Sequence, residues 1–434
     1  MYKKIVNAAA CCMMALLVGC DPTGSGGGKG DAKIRLLNLS SGYTSLDLIT
    51  NIDADENDED ETQSGAVGLE AVSEYATLKP DKYTIKLKRT GSGSILRSFT
   101  GEDLVEDTIN TYVAYGEVGA FGALRIDDTQ DAADAGSTKL SVANVSSAGA
   151  LDVYITDTDT NLNDTTPVLS GVGASLAAFS TDSGTFRLRV TASGDNTDVR
   201  LDIPDFKLAD QGVGTLILTS SRGGTLANAI YLPQKGTPQK LTNSKARLRG
   251  AIGVANGGSA AIVAAGQTVL GASTAGVIGS RYTLLDAGTV PVTLTVNGTA
   301  VTVPDLTLQA GADYTLLVWS NASGVQTSLI VDDNRPPSGN GNAKLRLLNG
   351  MSTLNAPLTL SMDFSPVIEG TPTGQVSDKI EVLSGSDRQF DITNTSTASL
   401  VLTRGSITLQ GNSVYTFFMT DNGATPIGVL RRDR

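Results

Sequence analysis

The sequence predicts an all-β chain of tandem antiparallel β-sandwich domains, and three observations carry that prediction. A short alternating strand motif recurs four times at spacings of about one hundred residues, the length of one sandwich rather than of a solenoid turn. Gly, Ser, Thr, Asp and Val are abundant while aromatics make up 5%, which suits short strands joined by many turns. Apolar residues make up 40%, enough for a core in each repeat and too many for general disorder.

The chain opens with Lys3 and Lys4, a mostly apolar run from Ile5 to Val18, and then Gly19-Cys20. The run has the length of a signal-peptide core and is short for a membrane span. Leu17-Val18-Gly19-Cys20 resembles the lipobox of bacterial lipoproteins; an ordinary secretory peptide with an accidental Cys is the alternative. The resemblance implies cleavage between Gly19 and Cys20, with residues 1–19 as signal peptide. It also implies a diacylglyceryl group on the Cys20 thiol, and acylation of the freed amine. Each buried methylene of such chains contributes about 0.8 kcal/mol, so two or three chains anchor firmly. The expected location is the bacterial cell envelope, on a membrane or at the cell surface. Asp21 resembles the inner-membrane retention signal of enteric bacteria; the rule differs elsewhere, which leaves the leaflet open. Cys11 and Cys12 are the remaining cysteines. They fall in the removed segment, so the mature chain would hold no disulfide. Residues 20–31 include Thr23-Gly24-Ser25-Gly26-Gly27-Gly28 and read as a flexible tether. These glycines lack both the preceding strand and the Gly-Lys-Ser/Thr ending of a phosphate loop.

Four sandwich domains are expected next, at 32–130, 138–240, 244–335 and 343–434. Ala32-Lys33-Ile34-Arg35-Leu36-Leu37-Asn38 returns almost unchanged at Ala343 to Asn349, and more loosely at Thr138 to Asn144 and Ser244 to Gly250. Its alternation places Ile34 and Leu36 in a core and Lys33 and Arg35 in water. The repeats then start at Lys33, Lys139, Lys245 and Lys344. A second strand follows, as in Leu46 to Ile49, Leu151 to Ile155 and Leu358 to Met362. Mid-repeat, Pro, Gly and Asp mark turns at Lys79-Pro80-Asp81, Asp182-Ser183-Gly184, Asp286-Ala287-Gly288 and Ser384-Gly385-Ser386.

Late in the third and fourth repeats, a polar turn leads into Tyr314-Thr315-Leu316 and Tyr415-Thr416-Phe417. Such a Tyr resembles the tyrosine corner of Ig-like sandwiches, whose hydroxyl bonds upstream backbone; a Tyr filling a core edge is the alternative. Tyr112 holds the place in the first repeat, and the second has Gly214-Thr215-Leu216 instead. Ile126-Asp127-Asp128 and Val331-Asp332-Asp333 close two repeats, and Arg335-Pro336-Pro337-Ser338-Gly339 is the clearest boundary. The starting strand, mid-repeat turn, Gly-x-x-Tyr-Thr strand and closing Asp-Asp are together similar to the domain-of-unknown-function family numbered 4397. That resemblance implies Ig-like β-sandwich repeats of bacterial envelope lipoproteins, and it implies no catalytic residues.

The chemistry is mostly one of exclusions. The chain has 33 basic and 45 acidic residues; without Lys3 and Lys4 the count is 31 to 45, a net charge of −14. Nucleic acid and anionic lipid are therefore disfavoured as partners. There is no His, which removes His-based triads and His-containing zinc sites, and no mature free Cys for thiol catalysis. No Gly-x-Ser-x-Gly elbow is present, and no carboxylate pair stands out for glycoside hydrolysis. No catalytic residue is assigned. Two binding candidates remain. Asp53, Asp55 and Asn57 after the second strand of repeat one, and Asp157, Asp159 and Asn161 in repeat two, alternate oxygen ligands as calcium requires. Both stretches lack the Gly and Glu of an EF-hand loop, and the alternative is a solvated loop that blocks edge pairing. Trp319, the sole Trp, would be the aromatic platform of a glycan site or else strand packing. The expected function is a non-enzymatic, lipid-anchored envelope protein without cofactor, acting as a structural or interaction module. It would meet the membrane through Cys20, and its further partner would be an envelope protein or a glycan. The alternative is a surface adhesin or glycan-binding protein, with calcium assisting.

Overall fold

A computed structural model describes residues 30–52, 59–423 and 425–434. Gly19, Cys20, the tether up to Lys29, and Asp53, Asp55 and Asn57 lie outside the described residues. The regular secondary structure of the described chain is strand throughout, apart from two short 3-10 turns. Among the described residues no helix is long and apolar enough to cross a membrane.

The first repeat shows the plan. Its strands are β1 (Ala32–Leu39), β2 (Ser45–Ile52), β3 (Glu61–Gly68), β4 (Ala71–Val72), β5 (Ala76–Leu78), β6 (Asp81–Arg89), β7 (Ile95–Leu104), β8 (Ile109–Tyr115) and β9 (Gly122–Asp127). One sheet has the order β4-β1-β8-β9 with β5 also on β1, and the other has β3-β2-β6-β7. Ladders are antiparallel except for one: β1 and β8 run parallel, with Arg35 opposite Thr111. Two parallel neighbours need a crossover between them, and here the crossover is the second sheet. The two inner faces bury Ile34, Leu36, Leu46, Leu48, Ile85, Leu87 and Tyr112, as their alternation requires.

The same plan recurs three times, each around its own apolar core. The parallel ladder joins Ser137–Asn144 to Gly212–Ser220, Lys245–Gly253 to Asp313–Asn321, and Asn342–Asn349 to Ser413–Asp421. The mid-repeat turns fall where Pro, Gly and Asp mark them. They separate β5 from β6, Ala177–Asp182 from Gly184–Ala192, Thr283–Asp286 from Gly288–Val290, and Ile380–Leu383 from Gly385–Asn394.

Three details differ from the expectation. The first concerns register. Arg35, Arg249 and Arg346 stand opposite Thr111, Thr315 and Thr416 in their parallel ladders. Arg249 is thus the counterpart of Arg35, and Arg247, not Lys245, takes the place of Lys33. The shift of two preserves strand alternation, so the pattern of faces alone does not reveal it. The second concerns the tyrosine corner. Tyr314 and Tyr415 each accept a hydrogen bond at 3.0 Å from the amide five residues upstream, at Gln309 and Gln410. In repeat one that position is held by Asn110, while Tyr112 sits two residues further on in the core.

The third is the largest. Arg35 does not face water; it is buried, and only Lys33 of that pair is exposed. The face of the β1 sheet that alternation assigns to solvent is covered by another repeat. Repeats one and two bury Leu37, Val113, Ile126, Ile217, Ile230 and Leu232 against each other. Repeats three and four do the same with Ala251, Ile278, Leu317, Ile330, Leu348 and Phe418. A sheet covered on both faces reads as a nearly continuous buried run rather than an alternation, and the Leu36-Leu37 and Leu347-Leu348 doublets are that signal.

Candidate functional site

The charged residues on these covered faces form the most unusual arrangement in the molecule. In repeats one, three and four an Arg of the first strand, a Thr of the late strand and an Asp seventeen residues after it come together. Arg35 Nε donates to Thr111 Oγ1 at 2.8 Å, and Thr111 donates to Asp128. Arg249 donates to Thr315 at 2.9 Å, and Thr315 to Asp332 at 2.6 Å. Arg346 donates to Thr416 at 2.8 Å, and Thr416 to Asp433 at 2.6 Å. The parallel ladder sets Arg opposite Thr, and the hairpin to the last strand returns the Asp beside it. Repeat two has Ser141, Thr215 and Leu232 at these positions; its version is uncharged.

A fourth side chain comes from the residue before the mid-repeat strand. Tyr75 and Tyr282 donate to Asp128 and Asp332, at 3.0 and 2.7 Å. The guanidinium groups of Arg35 and Arg249 lie over their rings at 4.3 and 4.7 Å from the centroids, a cation–π contact. In repeat four this place belongs to Lys379, 3.4 Å from Asp433.

Between repeats three and four the groups are exchanged. Arg249 Nη1 lies 2.7 Å from Asp433 of repeat four, and Arg346 Nη2 lies 2.6 Å from Asp332 of repeat three. Each is nearer the other repeat's carboxylate than its own, at 3.8 and 3.9 Å. This is the self-complementary pattern of a two-fold interface, realised within one chain. All four side chains are at most 2% exposed. The cationic neighbours hold both carboxyls below the usual range, against the opposing effect of burial. In pair one–two, where repeat two has no charged counterpart of the set, Arg35 turns to the Gly236 carbonyl at 2.8 Å.

Burial draws the Lys379 ammonium down to about 8, with repulsion from Arg346 adding to it. A lysine whose folded pKa lies below its unfolded value of 10.5 opposes folding while it is charged. Stability therefore rises as pH climbs from about 8 towards 10.5. The urea midpoint of the wild type is expected to increase between about pH 7.5 and 9.5, and that rise should vanish in Lys379→Met. An equal rise in both proteins would assign it elsewhere.

The two pairs also meet each other. Gly223 N–H donates to Gly311 O at 2.8 Å, Asn334 N–H to Gly223 O at 2.9 Å, and Arg434 Nη1 to Gly224 O at 2.8 Å. A Cβ on Gly223 would stand 2.7 Å from Asp313, and one on Gly224, at φ +80°, 2.4 Å from Arg335. Only glycine allows this approach.

With this geometry in view, the comparisons with known proteins are informative. The model of a family described as a domain of unknown function, DUF4397, matches residues 32–154 and 246–358, more than half of the chain. The chain belongs to the DUF4397 family. Each DUF4397 match spans the first member of a back-to-back pair and the opening strand or strands of the second. No curated protein matches. Among solved structures, a family 26 carbohydrate-binding module from Eubacterium rectale Amy13K, crystallised with maltoheptaose, is similar at 12% identity. The match covers 45% of this chain and 95% of that one, with a TM-score of 0.16, too low to carry an argument about fold or ligand.

The remaining candidates find other roles in the DUF4397 repeats. Trp319 is no open platform. It packs with the apolar cluster between repeats three and four, and its Nε1 donates to Ser328 at 3.1 Å. A Cβ on Gly374 of repeat four, at φ +77°, would sit 2.3 Å from its ring. Asp157, Asp159 and Asn161 lie in the loop after Leu151–Thr156, where the Asn161 side chain accepts from Asn163 N–H and caps a short 3-10 turn. No three acidic side chains converge to hold a metal among the described residues. Alternation hid the Arg–Thr–Asp sets, because it assigned Arg35 to water. The usable signal was the closing Asp at a fixed distance from a Thr that follows Tyr or Asn.

Proposed function

We propose that this protein is a non-enzymatic, lipid-anchored component of the bacterial cell envelope, and that its four repeats act as one rigid structural or interaction module. The exchange of Arg249 and Arg346 between Asp433 and Asp332 carries the reading. Buried ions cost several kcal/mol each to desolvate, so this contact specifies one docked arrangement rather than a loose string of domains. The absence of His from the sequence and the commitment of the charged clusters to repeat packing agree with a role that is not catalytic. The lipobox-like Leu17-Val18-Gly19-Cys20 supplies the anchor. The glycan-binding alternative loses the platform expected for it, since Trp319 is used for packing.

The anchor is tested by Cys20→Ala in the native cell. The wild type is expected in the membrane fraction with an acylated N-terminal peptide. The variant should be released, unacylated and with an unchanged far-ultraviolet circular dichroism spectrum. A variant that stays membrane-bound would defeat the proposal.

A further inference from the structure

A cleft of about 470 Å³ opens where repeats two, three and four meet, within the size range of small-molecule sites. Four arginines line it: Arg200, Arg247, Arg281 and Arg434. Two are neutralised. Arg247 makes a bidentate pair with Asp313, both contacts at 2.7 Å, and Arg200 meets Asp198 at 2.5 Å. The other two form no ion pair among the described residues. Arg434 spends Nη1 on the carbonyls of Gly224 and Asn334, and its Nη2 lies beside Gly149 on the cleft wall. Its own carbonyl oxygen is engaged elsewhere, by Val414 N–H and Arg432 Nε. Arg281 is exposed.

Carboxylates at the cleft do not balance these charges. Asp433 is held by Arg249 and Lys379. Asp195 accepts from the amide and hydroxyl of Thr197 and feels the charge of Arg281 without reaching ion-pair distance of it. Burial, with repulsion from Arg200 and Arg247, draws Arg434 down to about 10. An acidic chain of net charge −12 thus carries a local surplus of guanidinium groups. Two buried donors on the same wall, Arg200 Nε and Thr225 Oγ1, have no hydrogen-bond partner. Buried polar atoms are nearly always satisfied, and an exception marks a place for a water or an ion.

We propose that this cleft binds a tetrahedral oxyanion, a phosphate or sulfate, either free or as the ester group of a larger polar molecule. Guanidinium forks match such oxygens. Arg281 and Arg434 supply the uncommitted charge, on a wall where Arg200 Nε and Thr225 Oγ1 are buried without partners.

Calorimetric titration of the full chain with inorganic phosphate, sulfate, glucose 6-phosphate and glucose tests this. The three anions should bind saturably, and glucose should not. Raising the salt should weaken binding. Arg281→Gln, which removes no hydrogen bond or ion pair between repeats, should weaken it about tenfold or more, and Arg434→Gln likewise. Equal affinity for phosphate and glucose 6-phosphate supports a site for the free ion; tighter binding of the ester supports an ester group. No saturable binding up to about 10 mM of any anion, or unchanged affinity in Arg281→Gln, would overturn the proposal.

Discussion

Arg249→Met is expected to destabilise the third and fourth repeats by about 3–5 kcal/mol, the cost of removing one member of a buried ion pair. Arg249 is 1% exposed. Its loss leaves Asp433 with Lys379 at 3.4 Å and Arg346 at 3.9 Å, both worse placed than the 2.7 Å contact it loses. Thr315 loses its donor as well. The double variant Arg249→Met, Asp433→Leu should recover only part of the loss, because it replaces the buried pair by apolar side chains but leaves Lys379 and Thr416 without their Asp433 acceptor. Urea unfolding of wild type, single and double variants forms a cycle that isolates the coupling. A single variant within about 0.5 kcal/mol of wild type would show that the network contributes nothing to docking. The pH dependence follows. Asp332 and Asp433 titrate below their ordinary value of 3.8 in the folded state, so their contribution is complete above that value. It is lost as pH falls through the depressed folded values. Acid should unfold the wild type more steeply than the double variant.

Phe417→Ala and Phe418→Ala are expected to cost about 3–5 kcal/mol each, with separable consequences. Successive strand residues point to opposite faces. Phe417 packs in the core of repeat four, edge-on to Phe390 with ring centroids 5.3 Å apart. Phe418, fully buried, packs instead between repeats three and four with Leu317 and Leu348. Phe417→Ala should lower hydrogen-exchange protection throughout repeat four. Phe418→Ala should leave the repeat-four core protected while splitting the unfolding of repeats three and four into two transitions. If Phe418→Ala still unfolds in one transition at the wild-type midpoint, the packing between those repeats is not what couples them.

The architecture was legible because it is written in short-range patterns. Period-two alternation at Ile34 and Leu36 placed the inner face of the first strand correctly, since strand geometry forces that alternation whatever the tertiary context. Turn chemistry marked the mid-repeat breaks for the same local reason. The late-strand Tyr likewise announced its hydroxyl bond in repeats three and four, where Tyr314 and Tyr415 reach back five residues.

The fate of the outer faces was not legible in this way. Alternation states that a residue leaves the core; it does not state what it then meets. Arg35 was assigned to water because one repeat, read alone, has a free outer face. Only the back-to-back packing turns that face into a second interior, where Arg35 needs Thr111 and Asp128, residues 76 and 93 positions away in sequence. Trp319 lost its glycan reading for the same reason. The sequence by itself determined the all-β class and the family. The tertiary structure alone decided that the repeats pair, and that Arg249 and Arg346 exchange partners. Secondary structure is a local property, whereas buried charge is stable only where a distant partner arrives.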